Sequence, residues 1–141
     1  LVLDQGSGAV HRIDPTMRSS ALAISVAAGD TVTFSLKAQG GRSTEPYLVL
    51  ASYHGSTPGI THAGVTAPVN YDLLTALAFI AVLAGDPHLI GWNGTLDSSG
   101  QAEAQVVIPP GILFPGYTLS FCFVLGTPWL ASNAVWFHLL P

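Results

Sequence analysis

The sequence predicts an all-β protein, a sandwich of two sheets with roughly seven to nine strands in one domain. Three observations predict it. Short runs alternate apolar and polar residues, most clearly "TVTFSLKA", where Val32, Phe34 and Leu36 oppose Thr33, Ser35 and Lys37. A period of two marks a strand buried on one side. Turn residues punctuate the whole length, with 15 Gly and 10 Pro, at the roughly 8–12-residue spacing of sandwich proteins. The 141 residues suit a single core of about the size of an immunoglobulin-like architecture.

The elements follow in order. Residues 1–15 form an N-terminal extension set apart from the sandwich domain at 16–141. In the extension, residues 1–3 and 9–13 are strand-like but lack an obvious hairpin partner. Leu1, Val2, Leu3, Val10 and Ile13 are therefore candidates for a strand donated to a neighbouring subunit. Residues 21–26 and 31–38 read as a hairpin, with Gly29 free to take positive φ. Residues 47–52 are nearly all apolar and predict a central strand. The Gly-, Pro- and Thr-rich connection at 54–70 is long enough to be functional or a strand-switching crossover. Residues 73–84, "LLTALAFIAVLA", support either a helical or a strand period, and the neighbouring strands favour a strand. The stretch 91–111 reads as a strand, an Asp97-Ser98-Ser99-Gly100 turn and a second strand, with Ala102, Ala104, Val106 and Ile108 on one side. Strands at 118–125 and 134–140 complete the set.

Composition points away from several function classes. Charged residues make up 9% of the chain, against about 25% in ordinary soluble domains. With four Lys or Arg against eight Asp or Glu, no basic patch exists for nucleic acid or anionic membranes. The apolar run at 73–85 is shorter than the roughly 20 residues a membrane helix needs, so no membrane insertion is expected. Twelve charges must cover on the order of 7,000 Å². Much of the outside is then apolar or small and neutral, and large apolar surface marks a contact surface. Copies of the chain itself are the expected partner. Leu1 in place of Met suggests a processed product or an excised domain.

Chemical motifs are weak. The histidines (His11, His54, His62, His88 and His138) form no local ligand pair, so no metal and no cofactor is expected. His54, Ser56 and His62 make the one conceivable hydrolase cluster, but the nucleophile elbow is missing. Cys122 lies between two Phe residues and reads as a buried core thiol. Asp97 and Ser99 begin a calcium-loop pattern that Gly100 interrupts. Trp129, after Pro128, and Tyr117 are candidate sugar-stacking rings, making glycans the alternative partner, while Trp92 and Trp136 read as core or interface residues. Asn93-Gly94-Thr95 is a glycosylation sequon.

The stretches "GWNGTLDSSGQAEAQVVIP", "LSFCFVL", "ASNAVWFHLLP", "YLVLASYHGSTPGI" and "PVNYDLL" together resemble small β-sandwich modules of secreted bacterial proteins of planctomycete type. The resemblance runs over residues 21–141. It implies an extracellular location and a structural role in display, adhesion or assembly, with no catalytic residues to carry over. Such modules usually end larger proteins. With only residues 1–20 ahead of the module, a self-sufficient building block is the expectation. That block would be a secreted, non-enzymatic subunit of an extracellular filament, coat or adhesive surface structure.

Overall fold

The computed structural model describes residues 2–3, 10–11, 15–38, 42–126 and 129–141. Among them are fourteen strands and one helix. In chain order they are β1 (Val2–Leu3), β2 (Val10–His11), β3 (Thr16–Ser19), β4 (Ala23–Ser25), β5 (Asp30–Lys37), β6 (Pro46–Ser52), β7 (Ile60–His62) and β8 (Val65–Ala67). The helix α1 (Leu73–Leu83) follows, then β9 (Leu89–Ile90), β10 (Asn93–Thr95), β11 (Gln101–Ile108), β12 (Thr118–Gly126), β13 (Trp129–Ala131) and β14 (Val135–Leu140).

Two sheets make the sandwich. One runs β3-β5-β11-β9, and the other β10-β6-β12-β14-β4 with β13 also on β12. All ladders are antiparallel except β14 with β4, which is parallel. The orders β3-β5-β11 and β6-β12-β14 reproduce the A-B-E and C-F-G groupings of an immunoglobulin-like sandwich. The alternation in β5 buries Val32, Phe34 and Leu36, while Ser35 and Lys37 face out. As its apolar run predicts, β6 is central, between β10 and β12.

Phe121 of β12 joins the layers. Its ring lies 4.7 Å from Phe34 and 5.2 Å from Phe137, and meets Trp92 edge-on at 6.0 Å. The Phe34–Phe121 pair links β5 of one sheet to β12 of the other through the core. Strand β12 is buried on both sides. Phe121, Phe123 and Leu125 face the main core, and Cys122 and Val124 face a second small cluster with Ala67 and Val69.

Four expectations need correction. Residues 73–84 are a helix, not a strand. An all-apolar run carries no usable period, and its ends decide. Asp72 caps the first turn, and Gly85 takes φ +71° beyond the last. Residues 21–26 and 31–38 are not a hairpin, since β4 pairs with β14 and β5 with β3 and β11. Gly29 does take positive φ, +69°, but its turn carries the chain from one sheet to the other; a Cβ there would lie 2.5 Å from the Ile108 carbonyl oxygen. The strand read at 91–96 is shorter than expected: Gly91 and Trp92 turn the chain, so that only β10 (Asn93–Thr95) is strand there and joins β6, while β9, just before the turn, joins β11 in the other sheet.

The connection at 54–70 begins the path that carries the chain from β6 in one sheet, by way of α1, to β9 in the other, as the crossover reading expects. It holds the β7–β8 ribbon, whose Ala67 covers the outer side of β12. Finally, β1 and β2 have a local partner, because they pair with each other, Val2 with His11 and Leu3 with Val10. Leu1 and Ile13, the outer members of the proposed donor strand, lie outside the described residues.

Because Phe121 touches rings from two other strands and a turn, Phe121→Ala should cost about 3–5 kcal/mol in chemical denaturation. Trp136→Ala, at a 51% exposed position, should stay within about 0.5 kcal/mol.

Candidate functional site

The chain leaves β6 and, after the ribbon, enters α1. One carboxylate ties the two together. Asp72 Oδ2 accepts from Ser52 Oγ (2.8 Å), Tyr53 N (2.9 Å) and His54 N (3.1 Å). Its Oδ1 accepts from Thr75 N at 3.0 Å. Thr75 returns the cap, its hydroxyl accepting from Asp72 N (3.1 Å) and donating to Ala51 O (2.8 Å). Two residues earlier, Asn70 pins the incoming loop. It donates to His54 O and Thr57 O and accepts from Gly59 N. At the far end, Gly85 N donates to Val82 O and Asp86 N to Ala81 O, a helix stop of the Schellman type.

The Asp72 side chain is only 4% exposed. Burial by itself would raise its pKa. The backbone donor at Thr75, the Ser52 hydroxyl and the backbone donors at Tyr53 and His54 outweigh burial and hold the carboxyl below its ordinary value of 3.8.

So anchored, α1 buries Thr75, Ala78 and Val82. Leu74 is half-buried against the core, and the remaining large side chains point outward. Leu73, Leu77, Phe79, Ile80 and Leu83 are exposed, as are Ile112, Phe114 and Tyr117 of the facing loop at 109–117, from 46% at Phe79 to 76% at Phe114. Between helix and loop runs a groove of about 560 Å³, walled by Leu73, Leu77, Ile112 and Phe114 and floored by Trp92 and Phe121. The floor offers no free donor, because Trp92 Nε1 gives its hydrogen to Gln105 O at 2.9 Å. Polarity gathers at one end, where Asp86 Oδ1 accepts from both His88 N and His88 Nδ1 at 2.8 Å. The backbone bond first, then the ring bond, hold the Asp86 carboxyl below its usual range.

The residues singled out in the sequence are scattered. Tyr117 is exposed on the groove, edge-on to Tyr53. Trp129 pairs with Gly126 at the other end of β12 and packs edge-on against His62 at 5.0 Å. Nine residues of strand separate them, about 30 Å, so they form no common platform. His54 sits 3.3 Å from Asp72 Oδ2 with its ring tilted against that of Tyr53, while His62 lies edge-on to Trp129. Ser56 is exposed and bonds to neither histidine. Asn93 and Thr95 are exposed on β10, at the edge of its sheet.

Asp97 makes a turn. Its Oδ1 accepts from Ser99 N and Gln101 N. Cys122 is buried, and burial pushes its thiol up to about 12. Among the described residues no three His, Cys, Asp or Glu side chains converge, and no helix is long and apolar enough to cross a membrane. The apolar loop was the missed signal: "PPGILFPGY" sets Ile112, Leu113 and Phe114 where loops are ordinarily polar.

No protein-family profile and no curated protein matches the chain.

The depressed Asp72 pKa gives a signed prediction. A carboxylate lowered by folding adds stability above its unfolded value, and that stability is lost as pH falls below about 3.8 toward the folded value. Asp72→Asn should therefore cost about 2–4 kcal/mol at pH 7. It should also flatten the stability profile below pH 4, as read from denaturation midpoints across pH.

Proposed function

We propose that the chain is a secreted, non-enzymatic structural module that assembles with copies of itself through the face formed by α1 and residues 109–117. It would serve as a subunit of an extracellular coat, filament or adhesive surface. The observation that carries this reading is a helix without one charged residue from Leu73 to Leu83, lying on the surface. A helix apolar all round belongs in an interior. The exposed side chains of this face offer on the order of 1,000 Å², against about 800 Å² per partner in a standard interface. The largest patch on a typical monomer is roughly 300–600 Å².

Polar residues in the stretches that carry the resemblance support the same reading, because they are engaged in backbone bonds. Asn70 and Asp72 hold the loop and helix, and Asp97 holds its turn. Ser132 Oγ accepts from Phe123 N. Asn133 bonds both backbone groups of Met17, bridging β3 to the start of β14. The acids and amides that chemistry would draw on are building the scaffold.

Light scattering on material eluting from a sizing column tests the proposal. The wild-type chain should exceed 14.6 kDa at micromolar concentration, and Ile80→Asp should shift it toward that mass. A wild-type monomer at the highest attainable concentration would sink it. Asn93 belongs to the same proposal, since a glycan there would shield the open edge of β10. In protein from a glycosylating host, intact mass should show an added glycan that Asn93→Gln removes. An unmodified Asn93 there rejects this part.

A further inference from the structure

We infer that the second copy seats its own α1 in the groove, around a two-fold axis, so that this face closes a dimer and does not extend a filament. This rests on the proposed self-association and specifies its geometry.

Two adjacent stripes of α1 carry the inference. Leu73, Leu74, Leu77, Ala78 and Ala81 flank the groove. Ile80 and Leu83, at 61% and 68% exposure, form the crest beside it. With Leu73 and Ala76 the crest keeps the 3-4-3 spacing of a helix–helix seam. The groove is thus a trough along one side of a ridge. Both are about 16 Å long, because the same eleven-residue helix bounds them.

An occupant must be mainly apolar along that length, since, among the described residues, the only polar side chains lining the trough are Asp86 and His88 at one end and the tyrosines Tyr53 and Tyr117. Filled with solvent, about 560 Å³ would hold on the order of twenty waters against apolar walls. The crest of a second α1 meets the requirement. It is uncharged from Leu73 to Leu83, equal in length, and backed by Phe114 and Ile112 from across the groove.

Spacing then fixes the symmetry. Crest and trough lie within one helix diameter, about 10 Å. Two different copies cannot occupy both, because each would clash with the other. One copy must fill the trough and cover the crest together, and only a two-fold arrangement does so for both partners. With the two-fold axis normal to α1 the helices run antiparallel, which sets each N-terminus near the partner's C-terminus and favours this orientation electrostatically over a parallel pair. Leu77, midway along α1, falls near the axis and faces its own counterpart.

Cysteine cross-linking tests this. Cys122 is buried, with a thiol pushed up to about 12, so it stays silent. Leu77→Cys should give a disulfide-linked dimer in high yield under mild oxidation. Ser35→Cys, exposed on the opposite sheet, should not. Light scattering should give twice 14.6 kDa, with no larger series as concentration rises. Phe114→Asp, at an exposed loop position that leaves the core intact, should weaken the dimer at least tenfold while its circular dichroism and Tm stay those of the wild type. An open-ended series of masses would overturn the two-fold seat while leaving self-association standing. So would an assembly that Leu77→Cys fails to cross-link, or one that Phe114→Asp leaves intact. A wild-type monomer would overturn both.

Discussion

Strand β6 ends where the sheet ends, and the chain must still supply partners for the backbone groups that the ladder no longer satisfies. The Asp72 carboxylate does this for two elements at once. It takes the donors of Ser52, Tyr53 and His54 at the strand's exit and the donor of Thr75 at the helix's entry. Because one oxygen of the carboxylate serves the strand's exit and the other the helix's entry, α1 cannot rotate about its axis without breaking bonds at the end of β6. Thr75 reinforces the joint from the other side through Ala51 O. The orientation of α1, and hence which of its apolar side chains meet solvent, follows from this one buried group.

The same economy recurs elsewhere. Trp92 stands at the point where the chain passes from β9 to β10, fills the core against Phe121, and donates to Gln105 O. Asn133 imitates a strand partner for Met17, and Ser132 interrupts the pairing of β12 so that β13 and β14 can share one of its edges. A chain with 9% charged residues spends its few polar side chains on backbone groups at corners. Apolar residues are left to form much of the outside.

The strands with one solvated side were legible in the sequence. Val32, Phe34 and Leu36 against Ser35 and Lys37 predict β5, and the alternation after Gly100 predicts β11. Pairing was not legible, because it depends on which strands the turns carry across the sandwich. The Gly29 turn looks like a hairpin turn and is a change of sheet. The helix was misread because Leu73–Leu83 is apolar on every side, so neither period stands out. Its ends did carry the information, as Asp72 with Thr75 three residues on and Gly85 after the last turn. The candidate face was legible only as a surplus of apolar residues. Its location depends on Ile112 and Phe114 lying opposite Leu73 and Leu77, and no spacing rule connects those positions.

An apolar helix held outward by a buried carboxylate makes a demand on its surroundings: something must cover it. Amide hydrogen exchange across a dilution series measures that demand directly. Slowing confined to α1 and residues 109–117 as concentration rises, with exchange in β3 and β5 unchanged, is the result this account predicts. Exchange at α1 that is rapid and independent of concentration would contradict it.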